Sequence, residues 1–81
     1  MYDYSKLKGR IREYLGNDSA CSEKLGIAIS SMSMKLNSQS PFSLKEMDML
    51  ISLLSIPKEE IYDYFFTKKV EKNSTKEEKE N

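Results

Sequence analysis

Residues 17–37 constrain the fold of this 81-residue chain more than any other segment. The first half of the segment carries apolar residues on one helical face up to Leu25, and Gly26 follows directly as a residue suited to end a helix. In the second half, Met32 and Leu36 repeat four residues apart. This spacing predicts two helices of about two turns each, joined by a tight turn.

Two short helices joined by a turn of three or four residues that contains glycine form a helix-turn-helix unit. In DNA-binding proteins that use this unit, the second helix lies in the major groove. The pattern therefore favours a small, sequence-specific DNA-binding transcriptional regulator.

Three further helices are predicted around this unit. Residues 4–15 carry apolar side chains at helical spacing. Ser43 and Glu46 have the spacing of a capping box directly ahead of the apolar positions of a fourth helix. Pro57 suits the first position of a fifth helix. We therefore expect an all-α domain of five helices over residues 1–67.

Residues 68–81 differ in composition from the rest of the chain. Val70 is their only large apolar residue, and it stands among mixed charges. Such a segment cannot bury enough apolar surface to offset the entropy lost on ordering. The sequence predicts a charged, disordered C-terminal tail here.

The overall charge argues against strong nonspecific binding to nucleic acid. Lys and Arg together number 13, as do Asp and Glu, so the formal net charge is zero. A strongly cationic nucleic-acid binder has an excess of Lys and Arg. The charges are unevenly distributed, however, because residues 1–16 are basic and residues 46–67 are acidic. This asymmetry is expected if only one face meets phosphate.

The residue types needed for catalysis or metal binding are scarce. The chain has no histidine, and Cys21 is its single cysteine. We therefore expect no zinc site, no internal disulfide, no cofactor and no enzymatic activity. The sequence shows no signal-peptide core and no apolar run of about 18 residues, so we expect a soluble intracellular protein that does not enter a membrane.

The layout resembles the Cro/CI-type, or XRE-like, helix-turn-helix family. The motifs YDYSKLKGRI, LGI, KLN, PFS and YFF resemble a narrower group, the short Cro-like regulators of phages and prophages of low-GC Gram-positive bacteria. The resemblance covers residues 2–67. It implies a lambda-repressor-like fold and a Cro-like repressor that binds a double-stranded DNA operator in the cytoplasm of a bacterial host. The residues that carry it are Ser22, Leu25, Gly26, Ile27, Met32, Leu36 and the LLSIP motif at 53–57.

The sequence departs from the pattern of that family in three respects. Ala28 stands where the family usually has Ser or Thr to cap the third helix and touch a phosphate. Ser38 replaces the glycine that usually follows this helix. The exposed start of the helix, often Gln, Arg or Lys in the family, is Ile29, Ser30 and Ser31 here.

By family geometry, the third helix and the loop after it would contact DNA. Serine and asparagine can hydrogen-bond to base edges, and Ile or Met can contact a thymine methyl group. Helix amides or a lysine could hold phosphate. The alternative is that these side chains form a polar, solvated face. The DNA-contact candidates are Ile29, Ser30, Ser31, Ser33, Met34, Lys35, Asn37 and Gln39.

Four aromatic residues near the end of the domain predict a possible homodimer interface: Tyr62, Tyr64, Phe65 and Phe66. Tyr and Phe are enriched in the cores of interfaces, and two-fold dimers fit palindromic operators. The alternative is that these side chains close the core of the monomer.

A second function fits the same fold. The protein could be an antirepressor or modulator whose apolar, serine-rich third helix docks on a partner phage repressor. The zero net charge, Ile29 and Met34 favour this alternative. The helix-turn-helix unit and the basic first helix favour DNA.

Overall fold

The computed structural model describes residues 1–69, and within them the chain is all-helical apart from an isolated bridge between Tyr2 and Lys68. The prediction of an all-α fold with five helices is confirmed. None of the described helices is long and apolar enough to cross a membrane. The elements are α1 (Ser5–Leu15), α2 (Asp18–Leu25), α3 (Ile29–Leu36), α4 (Leu44–Leu53), a 3₁₀ turn (Lys58–Glu60) and α5 (Ile61–Phe65).

The two ends of the described chain lie side by side. The amide of Lys69 donates to the carbonyl of Met1 at 3.0 Å, next to the bridge between Tyr2 and Lys68. The first two residues of the predicted tail are therefore paired with the N-terminal segment. The rest of that prediction, residues 70–81, lies outside the described residues.

Side-chain caps open two of the helices at the residues that suit this role. Asn17 Oδ1 accepts from the Ala20 amide at 2.7 Å, which starts α2. Ser43 and Glu46 form both hydrogen bonds of a capping box, at 2.9 and 3.1 Å, and α4 follows. The predicted capping box is confirmed, because its two bonds satisfy amides that a helix start leaves without partners.

In the described chain, α2, α3 and α4 end in the same way, with one residue in the left-handed region. These residues are Gly26 (φ 74°), Ser38 (φ 62°) and Ser55 (φ 51°). The next amide bonds to a carbonyl five residues back in each case, as in a Schellman motif. A side chain makes this conformation costly, so both serines are strained where Gly26 is not.

We expect Ser55→Gly to stabilise the domain. The Ser55 side chain is exposed and takes part in no hydrogen bond within residues 1–69, so the substitution removes strain and loses no contact. The free energy of unfolding should rise by about 0.5–1 kcal/mol, measured by urea denaturation. Gly26→Ser is the matched control and should lower it by a similar amount. A lower stability for the Ser55 variant would contradict this account.

Side chains from the inward faces of all five helices and from the loop before α4 form the core. Helix α2 packs against α1, α3 and α4, and α5 packs against α1. Burial, with the nearby Asp18 carboxylate as a second cause, raises the pKa of the Cys21 thiol to about 11, so this residue behaves as a small apolar side chain. The buried apolar residues are Tyr4, Leu7, Ile11, Cys21, Leu25, Met32, Leu36, Phe42, Leu50, Leu54, Ile56, Tyr64 and Phe65.

Arg10 joins α1 to the end of α4. Its guanidinium donates to the carbonyls of Leu54 at 2.9 Å and Ser55 at 2.8 Å, and to the hydroxyl of Tyr64 at 3.1 Å. The guanidinium also lies over the Tyr14 ring, 4.7 Å from its centroid. Of the basic residues on α1, this one therefore serves the fold by satisfying carbonyls that the end of a helix leaves free.

The prediction that Pro57 opens the last helix as its first residue is corrected by the structure. Pro57 precedes a 3₁₀ turn, because its carbonyl accepts from the Glu60 amide at 2.9 Å over three residues. Helix α5 begins only at Ile61 and has five residues.

Candidate functional site

The outer side of α3 presents a continuous set of exposed side chains. Met32 and Leu36 are 0% and 3% exposed, and they fix which side of the helix faces the core. On the outer side, Ile29 and Met34 keep 50% and 46% of their surface exposed. We call this surface the α3 face; it consists of Ile29, Ser30, Ser33, Met34 and Asn37.

Helix α3 has little local support of its own. Ala28 has the extended conformation of an N-cap residue, with φ −68° and ψ 151°, but no side chain caps the helix start. Serines also favour helix only weakly. A helix of eight residues without a cap or strong helix formers depends on tertiary packing. In α3 this packing is provided chiefly by the buried side chains of Met32 and Leu36.

Lys35 lies outside the α3 face. Its Nζ is 3.1 Å from Glu46 Oε1 and donates to the Pro41 carbonyl at 3.0 Å. The lysine side chain is 14% exposed. The ammonium is therefore engaged within the domain, and its predicted contact with phosphate stays a prediction.

Glu46 receives several donors at once. Partial burial alone would raise its pKa, but the hydrogen bond from the Ser43 amide and the Lys35 ammonium outweigh burial and hold the pKa below its ordinary value. The carboxylate is thus charged at neutral pH, and the pair with Lys35 is fully formed there.

The other two candidates on or near α3 have different surroundings. Ser31 is half-buried on the flank of the helix. Gln39 is exposed in the loop, where its backbone amide donates to the Met34 carbonyl at 2.8 Å. The structure therefore brings together five of the eight predicted residues, and the other three point elsewhere or lie beyond the helix.

A cleft of about 340 Å³ lies beside the loop that follows α3. The Tyr2 amide donates to Ser38 Oγ at 3.0 Å, which ties the N-terminal segment to this loop. No local sequence pattern indicates this cleft, because its walls come from both ends of the domain. It is lined by Tyr2, Tyr4, Phe42, Met47, Phe65, Phe66 and residues 38–41.

The aromatic residues of α5 divide between the core and the surface. Tyr64 and Phe65 are 4% and 1% exposed, so they pack in the core of the monomer, as the alternative reading of the sequence expected. Tyr62 is 66% exposed, and Phe66 is half-buried with its ring 5.9 Å from the Tyr2 ring. Their part in a homodimer stays a prediction.

The α3 face is uncharged and partly apolar. It carries two large apolar side chains, two hydroxyls and one amide, and none of its five residues is charged. The cores of protein interfaces are depleted of charge and enriched in methionine, whereas DNA-binding interfaces are much more positive.

Two comparisons with known proteins found a similarity. A family model described as protein of unknown function (DUF739) matches residues 1–68. The fold is similar to the solution structure of the modulator of repression (MOR) of the temperate bacteriophage TP901-1 from Lactococcus lactis. The TM-score is 0.71 and the identity 31%, over 86% of this chain and 95% of that one. No curated protein sequence matches the chain. The Cro/CI-type resemblance stays a prediction.

Proposed function

We propose that this chain, which belongs to the DUF739 protein family, binds a phage repressor protein and modulates repression. The α3 face would carry the contact. The observation that supports this most is the exposure of Ile29 and Met34 on a helix face without charge. The similarity to a modulator of repression, at 31% identity over most of both chains, supports the same function.

The energetics of the α3 face favour a protein over DNA. Burying apolar surface contributes roughly 25 cal/mol per Å² to the free energy of association. Covering Ile29 and Met34 therefore favours binding to a partner with an apolar surface. Affinity for DNA comes largely from cations that neutralise phosphates. The cation of α3, Lys35, is paired with Glu46 and is therefore not free to neutralise a phosphate.

A Cro-like repressor that binds an operator is the second candidate function. It is favoured by Ser30, Ser33 and Asn37, which stand exposed together on the α3 face and could hydrogen-bond to base edges. Arg12 on α1 is exposed as well and could approach phosphate, whereas the Lys6 ammonium lies 3.9 Å from Asp63 and over the Tyr64 ring. In both functions the protein would act in the cytoplasm of a bacterial host.

Binding experiments with two probes separate the candidates. The full chain is titrated into the purified repressor encoded beside its gene, and separately into DNA from upstream of that gene, at about 50 and about 200 mM salt. We expect a complex with the repressor whose affinity changes little with salt, and no discrete complex of the chain alone with DNA. A specific, salt-sensitive DNA complex without repressor binding would establish the operator-binding function instead.

A further inference from the structure

Behind the α3 face, a largely buried ion pair fastens the last turn of α3 to the first turn of α4. The Lys35 ammonium and the Glu46 carboxylate are 3.1 Å apart, and their side chains are 14% and 16% exposed. We propose that this pair positions the α3 face and so sets its affinity for the repressor, although neither residue touches the partner. The inference rests on the proposed function.

The argument begins with the weakness of α3 itself. The helix has no side-chain cap at Ala28. Its orientation therefore depends on what its core-facing and flanking side chains contact. Met32 and Leu36 provide apolar contacts, which are non-directional and allow small rotations of a short helix. The ion pair adds a directional restraint at the C-terminal end.

Glu46 is well placed to act as that restraint. Its Oε1 accepts from the Ser43 amide at 2.9 Å, in the capping box that starts α4, and the same atom meets Lys35. Lys35 also donates to the Pro41 carbonyl at 3.0 Å. One carboxylate thus links the end of α3, the loop after it and the start of α4. Met34, whose side chain lies on the α3 face, directly precedes Lys35 in the chain.

The variants separate positioning from overall stability. Lys35→Met removes the charge and keeps a long, flexible side chain, whereas Lys35→Arg keeps a cation that can reach Glu46 and Pro41. We expect the methionine variant to bind the repressor roughly 3- to 30-fold more weakly and the arginine variant to bind nearly as well as the unaltered chain. Asn17→Ala is the control for stability, because it removes the side-chain cap of α2 and changes no hydrogen-bond partner of Glu46.

The outcomes are distinct. If Asn17→Ala weakens binding as much as Lys35→Met, the effect follows overall stability and the positioning role is wrong. If the arginine variant fails to restore affinity, a cation at this position is not what matters and the inference is overturned.

A second measurement reads the position of α3 in the free protein. Amide NMR signals of Ser30, Ser33 and Met34 should shift more in Lys35→Met than in Asn17→Ala. They should also titrate in acid, because the pair is intact above the ordinary Glu46 pKa of 4.5 and is lost as pH falls through the lowered value. Lys35 and Ser43 are the groups that face Glu46, and Glu46→Gln should abolish the titration.

The NMR measurement does not require the repressor. If the unaltered chain fails to bind the repressor, the proposed function is wrong, while the shifts still report whether the pair positions α3. If the changes stay confined to residues next to Lys35, the inference is wrong whatever the chain binds.

Discussion

Met32→Ala should lower the free energy of unfolding by about 2–5 kcal/mol, because the side chain is 0% exposed and truncation leaves a cavity that the surrounding core fills only in part. Small domains have a total stability of roughly 5–15 kcal/mol, so this loss would unfold a substantial fraction of the protein. The effect should be large because α3 has so few other restraints, and Met32 is one of the two side chains that hold it to the core.

The matched control for this prediction lies two residues further along the same helix. Met34→Ala removes the same atoms from a side chain that is 46% exposed, and stability should change by only about 0.5 kcal/mol. Urea denaturation followed by far-UV circular dichroism measures both variants. Equal losses at the two positions would show that α3 does not face the core as described.

Met34→Arg should change the two kinds of binding in opposite directions. A charged guanidinium in the centre of the α3 face would have to be buried against apolar partner surface, and affinity for the repressor should fall roughly 30- to 1000-fold. The same cation would strengthen any contact with DNA, adding roughly 0.9 to the magnitude of the log–log salt slope. Arginine favours helix, so the fold should be retained.

Tyr62→Arg is the control for that experiment. Tyr62 is a large exposed side chain on α5, away from the α3 face, so its replacement should leave repressor binding unchanged. Isothermal titration with each variant gives the affinities, and size-exclusion chromatography of Tyr62→Arg also tests the predicted homodimer. Repressor affinity that is unchanged by Met34→Arg would refute the α3 face as the contact surface.

The chemistry of α3 explains why its sequence supports two functions. Serines, an asparagine and two exposed apolar side chains are compatible with base contacts and with a protein partner alike. The balance moves toward a protein partner once Lys35 is seen to be paired with Glu46, since the helix then offers no free cation to phosphate.

Sequence alone determined the parts of this protein that depend on neighbours within a few residues. Asn17 caps α2, Gly26 ends it, and Ser43 with Glu46 opens α4, because each of these hydrogen bonds spans five residues or fewer. The two short helices α2 and α3, joined by the turn at Gly26, follow from the same local signals together with the apolar spacing that places Met32 in the core.

Tertiary structure decided the roles of side chains whose partners lie far away in the chain. Arg10 contacts carbonyls 44 and 45 residues away, which no local pattern could indicate. Tyr64 is buried and Tyr62 exposed, although both are tyrosines on the same short helix. Local hydrogen bonds are set by sequence order, whereas burial and the pairing of charges are set by which elements pack together. The pairing of Lys35 with Glu46 therefore became clear only in the folded domain.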